Sequence, residues 1–178
     1  MKPSLTLENA LERRICNDPE FLEGIFWGKS RPGHPEGTIA LHVKEVLDNI
    51  DKLSVDADIR RNLRIIALIH DSFKYKVDPS KNRTPVYHHG FIARKFAEKY
   101  VNDLDILDII ELHDEAFRAW ARGHRYNNWR EAEVLARKLI GRIKDMKLYM
   151  LFYKCDTMTG DKSHEGYDWF GSFVSKHS

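Results

Sequence analysis

Leu63-Arg-Ile-Ile-Ala-Leu-Ile-His-Asp-Ser-Phe-Lys74 is the stretch around which the rest of the chain is organised. Leu63, Ile66 and Ala67 stand at i, i+3 and i+4 and lead to His70 at i+7, so a helix here points the imidazole the way it points its core-facing residues. A ring on a buried face needs a partner. Asp71 follows at once, and neighbours on a helix lie about 100° apart, so the two side chains can flank one object held between this helix and others. A metal ion is one such object. The plainer arrangement is a core histidine bonded to a backbone carbonyl with Asp71 solvated at a helix end, and the pair taken alone favours it.

The neighbouring segments change that balance. Upstream, a helix from Thr38 to about Leu53 carries Ile39, Val43, Val46, Leu47 and Ile50 on its apolar face, and His42 stands inside that face. Downstream, Val86 to Tyr100 reads as a helix with His88-His89 in its first turn. A helix from Leu104 to about Ala121 follows, and it places His113 among Leu104, Leu107, Ile109 and Ile110. Two more helices run through Trp129 to Ile140 and Asp145 to Met158. In the second, Tyr149, Phe152 and Tyr153 precede Asp156 at helical spacing and direct a carboxylate inward. A buried carboxylate without a partner costs several kcal/mol or neutralises itself, so ordinary aspartates avoid such a position and metal ligands have a reason for it.

The first thirty residues give two short packing helices, through Leu5, Leu7, Leu11 and Ile15 and through Phe21, Leu22, Ile25 and Phe26, with Asn17-Asp18-Pro19 as a start signal between them. Gly28 to Gly37 holds Gly-Lys-Ser but has neither the earlier glycine nor the preceding strand of a phosphate loop, which excludes a nucleoside-triphosphate site of that kind. No useful Val/Ile/Thr alternation occurs, so the expected fold is all-α: a single-domain bundle of roughly eight helices. The helical domain spans 1–158, with the site core at about 34–156. Residues 159–178 form an aromatic tail with Tyr167, Trp169, Phe170 and Phe173 that docks on the domain or on a second subunit, the latter giving a homodimer.

Composition narrows the function classes. Lys and Arg total 29 against 27 Asp and Glu, so net charge gives nucleic-acid binding no support. The apolar runs are far short of a membrane span, and Cys16 and Cys155 form no metal-type spacing. A soluble protein in the reducing cytoplasm is the expectation. Of nine histidines, His124, His164 and His177 sit in polar surroundings, and the others lie within or beside apolar patterns.

Collected in order, the inward polar groups are His42, His70-Asp71, His88 or His89, His113 and Asp156. Side chains converging from facing helices are how bundles build metal sites. Imidazole and carboxylate without thiolate suit one or two divalent transition metals, Fe, Mn, Co, Ni or Zn.

The ordered set His…His-Asp…Asp resembles the HD-domain superfamily of metal-dependent phosphohydrolases, from about His34 to Asp156, and His34-Pro-Glu-Gly-Thr-Ile-Ala-Leu-His42 looks like the lead into its first ligand helix. The resemblance implies His42, His70, Asp71 and Asp156 as ligands of a first metal. It implies His89 or His88, with His113, for a second metal, with Asp71 bridging. His89 is preferred because Ala93, four residues on, matches a small residue found there in many members; His88 would then brace the site or touch substrate. Lys74 matches the His-Asp-x-x-Lys signature of cyclic-dinucleotide phosphodiesterases and di-iron oxygenases of the superfamily. The Glu of the His-Asp-x-x-Glu type and the Gly-Tyr-Pro element are absent.

The expected activity is therefore hydrolysis of a phosphoester, a nucleotide or another small anionic phosphorylated compound, by metal-activated water. Asp71 would bridge the metals and accept a proton, and Lys74 would stabilise phosphoryl charge. His34 could line the pocket. Arg118, Arg122 and Arg125 could hold phosphate, although basic residues at a helix end also suit the dipole. The same ligand set with Lys74 also resembles the mixed-valent di-iron oxygenases that cleave a C–C or C–P bond.

Overall fold

The computed structural model describes residues 5–30, 32, 35–78, 80 and 84–177. It is all-helical, with no strand among the described residues. The order is α1 Ala10–Cys16, α2 Pro19–Ile25, α3 Ile39–Ile50, α4 Ala57–Ile69, α5 His89–Ala97, α6 Leu104–Leu112, α7 Glu115–Tyr126, α8 Trp129–Arg142, α9 Met146–Thr157 and α10 Glu165–His177. Short 3-10 turns, Lys74–Lys76 and Pro85–Tyr87, follow α4 and precede α5.

The helix starts follow from local chemistry. Asn9, Asp18, Thr38, Asp56, Asp103, Asn128 and Asp145 each cap a helix, the side-chain oxygen accepting from a backbone N–H of the first turn. Such a cap contributes about 1 kcal/mol.

Helix α4 is the axis of the bundle. Its sequence pattern marks one apolar face, yet every residue from Leu63 to Phe73 is buried, including Ile65, Leu68 and Ile69. Helices α1, α3, α6 and α9 pack around it. From Leu63 onward the chain is enclosed on all sides and has no polar face to spare, so Arg64, His70 and Asp71 must find partners inside the protein. The remaining elements pair off as α5 on α6 and α7 on α8. Helix α10 lies across α7, α8 and α9, and buries Phe170 and Phe173 in the main core.

One expected helix is two. Leu104 to Ala121 breaks at His113-Asp114 into α6 and α7, with no glycine or proline at the break. The cause is Tyr149, buried on α9. Its hydroxyl lies 3.2 Å from the carbonyls of both Leu112 and His113, to one of which it donates, and it accepts from the Ala116 N–H at 3.3 Å. Backbone groups that would otherwise bond along the helix are satisfied from across the bundle. The expected first turn at Val86 is likewise replaced by the 3-10 turn, and α5 starts at His89 with His88 as its cap.

Candidate metal centre

Five helices end at one place. His42 lies one turn into α3, His70 caps the C-terminus of α4 with Asp71 just beyond, His89 opens α5, His113 caps the C-terminus of α6, and Asp156 stands near the end of α9. Gly90 makes part of this convergence possible. A Cβ there would sit 2.2 Å from the Glu111 carbonyl oxygen, so only glycine lets α5 come close enough to α6 to set His89 beside His113.

The polar atoms fall into two groups sharing Asp71. In the first, His42 Nε2 lies 3.2 Å from His70 Nε2 and 3.0 Å from Asp156 Oδ1, while Asp71 Oδ2 is 3.6 Å and 3.5 Å from the two imidazoles. In the second, His89 Nε2 and His113 Nε2 stand 3.2 Å apart, and Asp71 Oδ1 is 3.4 Å and 3.2 Å from them. Each oxygen of one carboxylate thus faces its own pair of rings. His42, His70, Asp71, His89 and His113 are all buried, and Asp156 is partly so.

The outer ring nitrogens decide what the inner ones offer. His70 Nδ1 meets the Ala67 carbonyl and His113 Nδ1 the Ile110 carbonyl, each at 2.9 Å. A carbonyl only accepts, so both Nδ1 atoms carry the proton and, in the neutral rings, both Nε2 atoms turn a lone pair inward. His42 Nδ1 faces Glu36 Oε1 at 3.4 Å, which favours the same tautomer. Lone pairs brought to 3.2 Å need something positive between them, a proton or a metal ion. Among the described residues three triads bring their ligand atoms close enough to hold an ion, His42-His70-Asp71, Asp71-His89-His113 and His88-His89-Asp114, and the first two share Asp71.

Electrostatics agrees with a cation site. Burial pushes His70 down to about 3 and His89 down to about 4, so both rings are neutral at pH 7. Burial would lower His42 and His113 as well, but Asp156 and Glu36 outweigh it for the first and Asp71 for the second, and both are raised. Burial works to raise Asp71 and Asp156; Lys74 and the imidazoles hold Asp71 ionised, and Lys162 with His42 does the same for Asp156. Lys74 Nζ sits on Asp71 Oδ2, and Lys162 Nζ donates to Asp156 Oδ1 at 2.9 Å.

The site opens into a cavity of about 510 Å³. Asp71, His89, His113 and Asp156 line it on one side, with Lys74, Lys162 and Arg125 supplying positive charge and Phe117, Trp120 and Tyr153 apolar surface. This is the size of a small-molecule pocket.

Among known protein families, curated proteins and solved structures, none matches the chain. The His/Asp clusters do not by themselves establish an HD domain, and the site stands on its own geometry.

The structure brings together His42, His70, Asp71, His89, His113 and Asp156, with Lys74 beside them. His88 is turned aside: its Nδ1 accepts from the Gly90 N–H at 3.2 Å, and its Nε2 faces Asp114 Oδ2 at 3.3 Å. His34 lies outside the described residues. Arg118 does not line the cavity but pairs with Glu115, and Arg122 pairs with Glu131; the α7 arginine at the cavity is Arg125. Three residues at the site escaped the sequence reading: Glu36, Asp114 and Lys162. Asp114 repeats after His113 the His-Asp tandem of His70-Asp71 and could have been found by it. Glu36 and Lys162 sit in loops whose partners are set only by the tertiary fold.

Proposed function

We propose that the cluster holds two divalent transition-metal ions and that the protein hydrolyses the phosphoester bond of a small anionic compound. His42, His70 and Asp156 would hold one ion, His89 and His113 the other, with Asp71 shared between them. The observation that carries this reading is the double facing of Asp71, whose two oxygens each meet a separate pair of imidazole nitrogens. When bound, such ions activate water and polarise phosphoryl oxygens.

The chain's own groups supply the remainder. Asp71 is buried beside the cavity, where it would orient the attacking water and take its proton. Lys74, on the carboxylate and at the cavity wall, offers charge where negative charge grows on the phosphoryl group. Phe117, Trp120 and Tyr153 give the cavity apolar surface. Among the described residues no helix is long and apolar enough to cross a membrane.

The test is metal analysis of the purified protein, followed by a panel of phosphoesters under strict anaerobiosis. Release of phosphate or nucleotide by wild type, with loss of both activity and metal in Asp71→Ala, is the expected result. Lys74→Ala should keep its metal and turn over more slowly. Oxygen uptake with a polyol or phosphonate, and no anaerobic hydrolysis, would replace hydrolysis by oxygenation. Full activity in Asp71→Ala would remove the site altogether.

A further inference from the structure

Both carboxylates of the first half-site already hold a cation of the protein's own. Lys74 takes Asp71 Oδ2, and Lys162 takes Asp156 Oδ1 at 2.9 Å and the Asp156 carbonyl at 3.0 Å. Asp156 Oδ1 is also the atom that stands 3.0 Å from His42 Nε2 and 3.9 Å from His70 Nε2. A metal ion held by those two nitrogens and that oxygen would lie against the Lys162 ammonium. In a partly buried setting the two positive charges repel, so they are alternatives on one oxygen.

The loop is built for such an exchange. Thr159 Oγ1 donates to the Asp156 carbonyl at 2.7 Å, which ties the backbone down just after α9. The Gly160 N–H donates to Glu45 Oε2 at 3.0 Å and anchors the turn to α3. With the main chain held, only the flexible four-carbon stem of Lys162 has to move. The side chain already lines the cavity that Lys74 and Arg125 line, so an ammonium leaving Asp156 stays within reach of anything bound there.

We propose that Lys162 is an exchangeable counterion: it neutralises Asp156 while the site lacks metal, leaves Asp156 Oδ1 when metal takes that oxygen, and then holds an anionic oxygen of the substrate in the cavity. The inference rests on the two-metal reading above and assigns a substrate-positioning role to a residue outside the ligand set. It ties anion binding to metal loading, because the ammonium is released only when metal replaces it.

The experiment is titration calorimetry with Mn(II) alone, and then with inorganic phosphate on the Mn(II)-loaded protein, for wild type, Lys162→Met, Lys162→Gln and Lys162→Arg. Removing the competing charge should tighten Mn(II) binding about tenfold in Lys162→Met and Lys162→Gln, and should weaken phosphate binding by about the same factor. Lys162→Arg, which keeps the charge, should restore phosphate binding. Unchanged or weaker Mn(II) binding in both neutral variants would mean that Lys162 only orients Asp156, and unchanged phosphate binding would mean that it never reaches the anion; either result overturns the proposal. Wild type that binds no Mn(II) would sink the two-metal reading itself, and the exchange with it.

Discussion

Two clusters along α4, one against α1 at mid-helix and one at the C-terminal end, bury charged groups in opposite ways. At the first, Arg64 is almost wholly buried, and its Nε and Nη2 donate to the two oxygens of the buried Glu12, each at 3.0 Å. Nη2 also donates to the Thr6 carbonyl, and Glu12 accepts further from the Glu8 N–H and the Asn9 amide. Donors meet acceptors throughout, and the cluster is closed. At the second, His42 faces His70 and His89 faces His113, nitrogen to nitrogen, around a carboxylate that can only accept. A polar cluster that serves structure balances its donors, whereas one that serves binding leaves acceptors aimed at a common point for something else to fill.

The sharpest way to break that contrast is to damage the closed cluster. Glu12→Ala leaves Arg64 charged and buried, and removing one partner of such a pair costs about 3–5 kcal/mol. Urea unfolding should report that loss, while Mn(II) stoichiometry on the remaining folded protein should stay as in wild type. A change in stoichiometry would show that the two clusters are coupled through α4.

Filling the open cluster should do the reverse. At a Mn(II) concentration of about a hundred times its dissociation constant, linkage gives about 2.7 kcal/mol of added stability. Thermal melts with and without Mn(II) should show it in wild type and a smaller gain in His70→Ala, which keeps only the His89-His113 half-site intact. An equal gain in that variant would place the metal elsewhere.

Proton competition distinguishes the clusters by pH. His70 and His89, held near 3 and 4, bind fewer protons folded than unfolded, so their contribution falls as pH drops below the ordinary histidine value of 6.5. His42 and His113 are raised, so the stability they contribute is complete below 6.5 and is lost as pH rises through their folded values. Metal-free protein should therefore be most stable, as far as these four groups decide, close to pH 6.5. Metal binding must displace protons from His42 and His113, so Mn(II) affinity should climb with pH across the same range. Calorimetric titrations at a series of pH values test both slopes. The closed cluster offers no such exchange, and a flat affinity profile would mean that the facing nitrogens hold no proton to displace.

How much of this was written in the chain differs by kind of feature. The all-α class was legible because periodicity is local, and His42, His70 and His113 stood out because they replace aliphatic residues on apolar faces. Asp71 and Asp156 followed from the same faces. Arg64 was not legible: it sits at a position that a half-exposed helix would give to solvent, and only the enclosure of α4 from Leu63 onward turns it inward. Nor were Glu36 and Lys162, whose partners come from other elements. Arg118 and Arg122 lie on the expected helix, but nearby glutamates claim them, while Arg125, further along, reaches the cavity.

The break between α6 and α7 is the clearest case of a tertiary contact overriding a local pattern, and it makes the smallest and most specific prediction. Tyr149→Phe keeps the buried ring and removes only the hydroxyl that bridges the Leu112 and His113 carbonyls to the Ala116 N–H. The buried backbone groups it leaves unsatisfied should cost about 1–2 kcal/mol. The structural consequence is local: the segment around His113 loses the contact that stops it from continuing as one helix, and His113 is one of the two imidazoles facing Asp71 Oδ1. The second Mn(II) should therefore bind more weakly in Tyr149→Phe, while the first, set by α3, α4 and α9, keeps its affinity. Equal weakening of both would mean that Asp71 transmits the disturbance across the site, and that the two half-sites behave as one unit in spite of their separate pairs of rings.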